Sequence, residues 1–106
     1  MAEKRSAARK KVRWSVRVLP SKLLCPTQDV SESGMFLISS KSFPIGTHLD
    51  LLIYPRGTQE GIEAEAIVCR HKRGNVGMIR SARPGFAVEL VNISKELEEA
   101  IKTIYQ

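Results

Sequence analysis

Apolar residues in this chain come in short runs that alternate with polar ones, and each run ends at a turn. Val12, Trp14, Val16 and Val18 alternate with Arg13, Ser15 and Arg17. That period of two marks a strand with one face buried and one face wet. A helix would need the apolar positions three and four apart, and only the last dozen residues supply that spacing.

The pattern repeats along the chain. Pro20-Ser21-Lys22 breaks the first strand, and Leu23 to Asp29 resumes an extended segment in which Pro26 suggests an edge or a bulge. Ser31-Glu32-Ser33-Gly34 is turn chemistry and leads into Met35-Phe36-Leu37-Ile38. A turn at Phe43-Pro44-Ile45-Gly46-Thr47 precedes Leu49, Leu51 and Ile53, and Pro55-Arg56-Gly57 closes that strand. Ile62 to Cys69 predicts a fifth strand, and Arg70 to Gly85 a basic loop or hairpin turning at Gly74-Asn75. Phe86, Val88 and Leu90 alternate in a sixth.

The C-terminus differs. Ser94 suits a helix N-cap, and Glu96, Glu98 and Glu99 place negative charge in the first turns. Leu97, Ala100, Ile101, Ile104 and Tyr105 recur at i, i+3, i+4, i+7 and i+8, an apolar stripe that must dock on something. The expected fold is mainly β: a six-stranded antiparallel barrel over 12–106, with one C-terminal α-helix at about residues 94–105 packed on it. Its 106 residues suffice for one core and not for two.

Charge is localised. Residues 1–17 carry Lys4, Arg5, Arg9, Lys10, Lys11, Arg13 and Arg17 against Glu3, while the remaining lysines and arginines balance the remaining acids. The whole excess of +6 thus sits at the N-terminus. Residues 1–11 read as a flexible basic arm suited to an anionic partner, with a solvated tail as the plain alternative. Cys25 and Cys69 are the only cysteines, and with His48 and His71 they show no metal-ligand spacing. Reduced thiols, no signal peptide and no membrane span predict a cytoplasmic protein without a cofactor. No glycine-rich phosphate loop and no nucleophile motif appear, so enzyme activity is not expected.

Two features remain. Arg5-Ser6-Ala7-Ala8-Arg9 sets two arginines four apart, and Asp29-Val30-Ser31-Glu32-Ser33-Gly34 is a D-x-S-x-x-G corner between strands. Alone, each fits ordinary structure: a basic tail, and a turn in which Asp or Ser caps the backbone and Gly takes a positive φ.

Together, in this order and on this strand pattern, they resemble the PilZ domain family, whose hallmark is R-x-x-x-R followed by [D/N]-x-S-x-x-G. The likeness runs through Val16-Arg17-Val18, the Met35-Phe36-Leu37 strand, the Phe43–Thr47 turn and Gly85-Phe86-Ala87-Val88-Glu89-Leu90. It implies a stand-alone receptor for the bacterial messenger cyclic di-GMP. By resemblance Arg5 and Arg9 grip phosphate and guanine, Asp29 accepts from guanine N–H groups, Ser31 meets the ligand while holding the corner, and Gly34 lets the backbone clear the base. Lys4 stands where many relatives carry another arginine, a departure that weakens a phosphate contact. Arg70 can reach the same surface, although it reads first as a solvated loop cation. Arg9 and Arg13 form a second R-x-x-x-R, but Arg13 sits inside the first strand, which favours the Arg5/Arg9 register.

The resemblance further implies an arm that changes conformation on binding and an unidentified downstream protein in motility, adhesion or exopolysaccharide control. Two other readings stand beside it. One is a PilZ-like interaction module without the ligand. The other is a small basic nucleic-acid-binding barrel, disfavoured because residues 18–106 are neutral and only three Phe, two Tyr and one Trp are available for stacking.

Overall fold

The structure is a computed structural model that describes residues 10–56, 58–72 and 84–104. Six strands are followed by a helix: β1 (Ser15–Leu19), β2 (Leu23–Val30), β3 (Gly34–Ile38), β4 (His48–Tyr54), β5 (Ile62–Lys72), β6 (Gly85–Val91) and α1 (Lys95–Ile104). All six strand pairs are antiparallel, and the order β1-β2-β3-β6-β5-β4 closes into a barrel. The expected fold class is the one that forms.

Alternation explains the core. Val16 and Val18 of β1, Cys25 of β2, Met35 and Leu37 of β3, Leu51 and Ile53 of β4, Ala66 and Val68 of β5, and Phe86 and Val88 of β6 point inward into one cluster. Trp14 joins that cluster just before β1 begins, in the phase its spacing assigned to it. Closure leaves no edge strand, so Pro26 cannot mark an edge; it pairs with Ser15 inside the ladder. The bulge alternative is what the chain uses, and the register slips just beyond, between Thr27 and Asp29.

Local chemistry sets the connections. Gly46 has φ +95°, where an L side chain is strained, and its N–H donates to the Val68 carbonyl at 2.7 Å. Asn92 takes φ 56° between β6 and the helix, a left-handed conformation that asparagine tolerates. Ser94 caps α1: its Oγ accepts from the Leu97 N–H at 3.1 Å. Glu96 and Glu98 occupy the first turn and Lys102 the last, which complements the helix dipole. Leu97 and Ile101 bury the apolar stripe against the barrel core. Tyr105 lies outside the described residues.

One boundary differs from the expectation. β5 continues through Arg70, His71 and Lys72, which pair with Ala87, Phe86 and Gly85 of β6. Their polarity made them read as loop, but Arg70 stands exposed on the outer face, which accepts charge as readily as a loop does, and His71, in register with the inward Phe86, is exposed where β5 ends. His71 Nε2 also hydrogen-bonds the Phe43 carbonyl, and Phe43 meets the Phe86 ring edge-on at 5.5 Å. The Gly74-Asn75 turn falls outside the described residues.

The two thiols sit in opposite environments. Cys25 is buried, which pushes its thiol up, an effect partly offset by a hydrogen bond with the Ser39 side chain. Cys69 is exposed. In the native protein a thiol-specific chromogenic reagent therefore titrates one cysteine rapidly, and Cys69→Ser removes that phase. Cys25 reacts only when denaturant opens the barrel. Because burial raises the folded value, the unfolded chain gives up its thiol proton first as pH rises. The Cys25 contribution is thus intact at neutral pH and is lost in the alkaline range.

Candidate ligand-binding corner

From Lys10, the described chain before β1 starts beside the corner that follows β2 and runs along β2. Thr27 holds this approach: its buried hydroxyl accepts from the Trp14 N–H at 2.9 Å and donates to the Val12 carbonyl. The Thr27 N–H returns to the Trp14 carbonyl at 2.9 Å. Further up, Lys10 and Val30 form an antiparallel bridge, with Lys10 N–H to Val30 O at 3.0 Å and Val30 N–H to Lys10 O at 2.9 Å. The residue that follows Arg9 is therefore tied to the residue that follows Asp29. Arg5, Arg9 and Lys4 themselves lie outside the described residues.

The corner is a tight four-residue turn from β2 into β3. The Ser31 N–H donates to the Gly34 carbonyl at 2.8 Å, and the Ser31 Oγ donates to the same oxygen at 3.2 Å. Ser31 is only 2% exposed, so its hydroxyl faces the turn it braces. The Ser33 carbonyl accepts from Leu90 N–H at 2.8 Å, which pins the corner to β6.

Gly34 is required for a reason other than the one expected. Among the described residues Gly46 is the glycine with positive φ, and Gly34 is not. A Cβ on Gly34 would lie 2.4 Å from the Val88 backbone oxygen of β6. The position is fixed by close approach of two strands, and this long-range fact is invisible in a turn motif.

Bulges aim the outward side chains. Cys25 and Thr27 face inward on β2, so unbroken alternation would turn Asp29 inward too. The slip at Gln28 instead buries Val30 and leaves Asp29 half-buried on the outer face, opposite Phe36. β5 does the same: the slip between Val68 and Arg70 places Arg70 opposite Ala87 rather than in the inward phase of Ala66 and Val68. Phe36 pairs with Ala87 across β3 and β6, and both stand outside the core cluster. Asp29, Phe36, Ala87 and Arg70 thus form one outward cross-strand row. At about 4.8 Å per strand the row runs about 14 Å around the curved sheet. Arg70 is an exposed strand residue in this row, which corrects its placement in a loop.

Sequence reasoning offered a bulge at Pro26, just before the first slip, and missed the second. Nothing in the sequence marks the second.

This row sets a half-buried carboxylate at one end and an exposed guanidinium at the other, while Phe36 and Ala87 between them are buried, so only its ends are open to polar recognition. Among the described residues no group of three or more His, Cys, Asp or Glu is placed to hold a metal ion. None of the described helices is long and apolar enough to cross a membrane.

No curated protein matches the sequence. Among solved structures, the chain is similar to the Bacillus subtilis inhibitor of motility MotI/DgrA, with a TM-score of 0.75 at 20% identity over 93% of this chain. It spans about half of that protein, 47% of its chain. It is also similar to the PilZ domain of YcgR from Escherichia coli, solved with c-di-GMP, with a TM-score of 0.66 at 16% identity, covering 94% of this chain and 87% of that one. At these identities the likeness establishes the fold. The family model for the PilZ domain matches residues 2–106, virtually end to end, and the chain belongs to the PilZ domain family.

Proposed function

We propose that the chain is a receptor for cyclic di-GMP and that it acts through binding rather than catalysis. The observation that carries this reading is the Lys10–Val30 bridge. It ties the residue after Arg9 to the residue after Asp29, which supports a reading in which the two motifs act at one corner. The bound c-di-GMP of the YcgR domain supports the ligand's identity.

The residues suit the ligand's chemistry. Cyclic di-GMP carries two phosphates and two guanines. Arginine at positions 5 and 9 offers a planar fork for phosphate oxygens or for guanine O6 and N7, and a flat face for stacking; lysine supplies neither. Asp29 accepts from guanine N1–H and N2–H₂, a pair that adenine lacks. Ser31 is a positioning residue that sets the Gly34 carbonyl and so the shape of the corner. Gly34 keeps β3 against β6 beneath the base. Lys4 adds charge to the arm, and Arg70 meets the far end of the ligand from the same outward row as Asp29.

Binding draws the basic arm, which repels itself when free, over the anion, and the changed surface at the corner signals to a downstream protein. Control of motility, adhesion or exopolysaccharide production is the expected outcome. A cytoplasmic location follows from that role.

Guanine reading is tested at Asp29. In competition with a fluorescent cyclic di-GMP, the wild-type protein should prefer cyclic di-GMP strongly over cyclic di-AMP. Asp29→Ala loses about 1.5–3 kcal/mol, roughly ten- to a hundredfold in affinity, and most of that preference. Undiminished affinity and selectivity in the variant would remove Asp29 from the site.

A further inference from the structure

The outer face centred on β4 carries a second ordered row. Arg17 of β1 pairs in register with Leu52 of β4, and Leu52 with Glu63 of β5. A cation, an apolar residue and an anion therefore stand side by side on three adjacent strands, all in the outward phase. Arg17 also pairs with Leu24 of β2, which is 53% exposed. Leu52 and the outward Tyr54 lie across the bare backbone of Gly61, where a Cβ would meet their side chains at 3.0 and 3.1 Å.

The charges in this row are unspent. The Arg17 Nε is buried without a hydrogen-bond partner. Among the described residues neither Arg17 nor Glu63 has an ion pair. A guanidinium nitrogen withdrawn from water between two leucines is costly to leave unmatched.

We propose that this face is a contact between two copies of the chain. A two-fold interface must be self-complementary, with residue i meeting j and j meeting i. Consider an axis lying in the contact plane along β4. It carries β1 of one copy onto β5 of the other, so Arg17 faces Glu63 of the second copy and Glu63 faces its Arg17. Leu52 and Tyr54 meet their own counterparts on the axis, and the bare Gly61 leaves room for close approach. Asp50, two residues before Leu52 on β4, also falls on the axis and meets its own copy. That like-charge meeting weakens the contact. Stable interfaces bury about 800 Å² per partner, and three outer strand faces offer less, so the dimer is dilution-sensitive rather than permanent. The two rows share β5, but Glu63 and Arg70 stand seven residues apart on it, about 23 Å along the strand, so the ligand row stays open in the dimer.

Sedimentation equilibrium of the full chain without nucleotide, from low-micromolar to millimolar concentration, tests this independently of ligand binding. The average mass should rise from one chain toward two. Arg17→Glu and Glu63→Arg should each weaken association by roughly tenfold or more, and the double charge swap should restore it. Asp50→Asn should tighten it. Thermal melts identify any variant that fails to fold, and Glu63 is exposed, so Glu63→Arg carries the test even if Arg17→Glu unfolds. A monomer at every concentration, a dimer indifferent to Glu63→Arg, or a swap no better than the single variants would each overturn the proposal.

Discussion

Replacing Arg5 and Arg9 together with alanine should reduce cyclic di-GMP affinity by about 3 kcal/mol or more, at least a hundredfold, while leaving the melting temperature unchanged. Both halves of that expectation matter. Each arginine contributes charge-assisted hydrogen bonds to an anion, and such contacts count for more than neutral ones. Both precede the first strand in the sequence, and the chain is anchored downstream of them through Lys10, Val12 and Trp14. Loss of binding at full stability would locate the ligand on the arm. Conservative Arg5→Lys/Arg9→Lys keeps the charge and loses the fork, so it should recover only part of the affinity. Arg13→Ala, the alternative register, should leave binding near the wild-type value.

The barrel was legible because its information is local. Alternation at Val16 and Val18, at Leu49, Leu51 and Ile53, and at Phe86, Val88 and Leu90 is written in neighbouring residues, and so is the Ser94 cap. What escaped the sequence depends on partners far along the chain. Arg70 looked like loop because its neighbours are polar, yet β6 gives it a register partner in Ala87. The slips at Gln28 and Cys69 arise from how two strands fit against a third, and no composition marks Gln28 or Cys69 as extra residues. The corner was legible as a motif and not as a mechanism. Asp29, Ser31 and Gly34 could be named, but the outward aim of Asp29 required the bulge, and the burial of Ser31 required the turn.

Gly34 shows the difference most sharply, and it carries the largest expected effect on stability. An alanine Cβ there would lie 2.4 Å from the Val88 carbonyl oxygen, a backbone atom that cannot rotate away. β3 and β6 must separate at that point. Nearby Leu90 N–H to Ser33 O, at 2.8 Å, is strained as they do so. Overpacking of this kind costs about 1–3 kcal/mol and occasionally more; at the upper end the melting midpoint of a domain this size falls by about 10–20 °C. Gly34→Val should be worse, and calorimetric melts of the two variants measure both. A positive-φ glycine would predict something else: Gly34→Asn, tolerated in left-handed turns, would be mild. Under strand contact, Gly34→Asn is as damaging as Gly34→Ala. Reduced ligand binding in these variants then reports a displaced corner and not a lost contact.

Isothermal titration of the wild-type chain with cyclic di-GMP tests the proposed receptor function most directly. Saturable heat that disappears in Arg5→Ala/Arg9→Ala is the predicted result. No heat from the wild type at high-micromolar ligand would contradict it and leave a PilZ barrel that serves protein contacts alone. Equal binding of any oligonucleotide, falling steeply with salt, would contradict it in favour of a nucleic-acid surface.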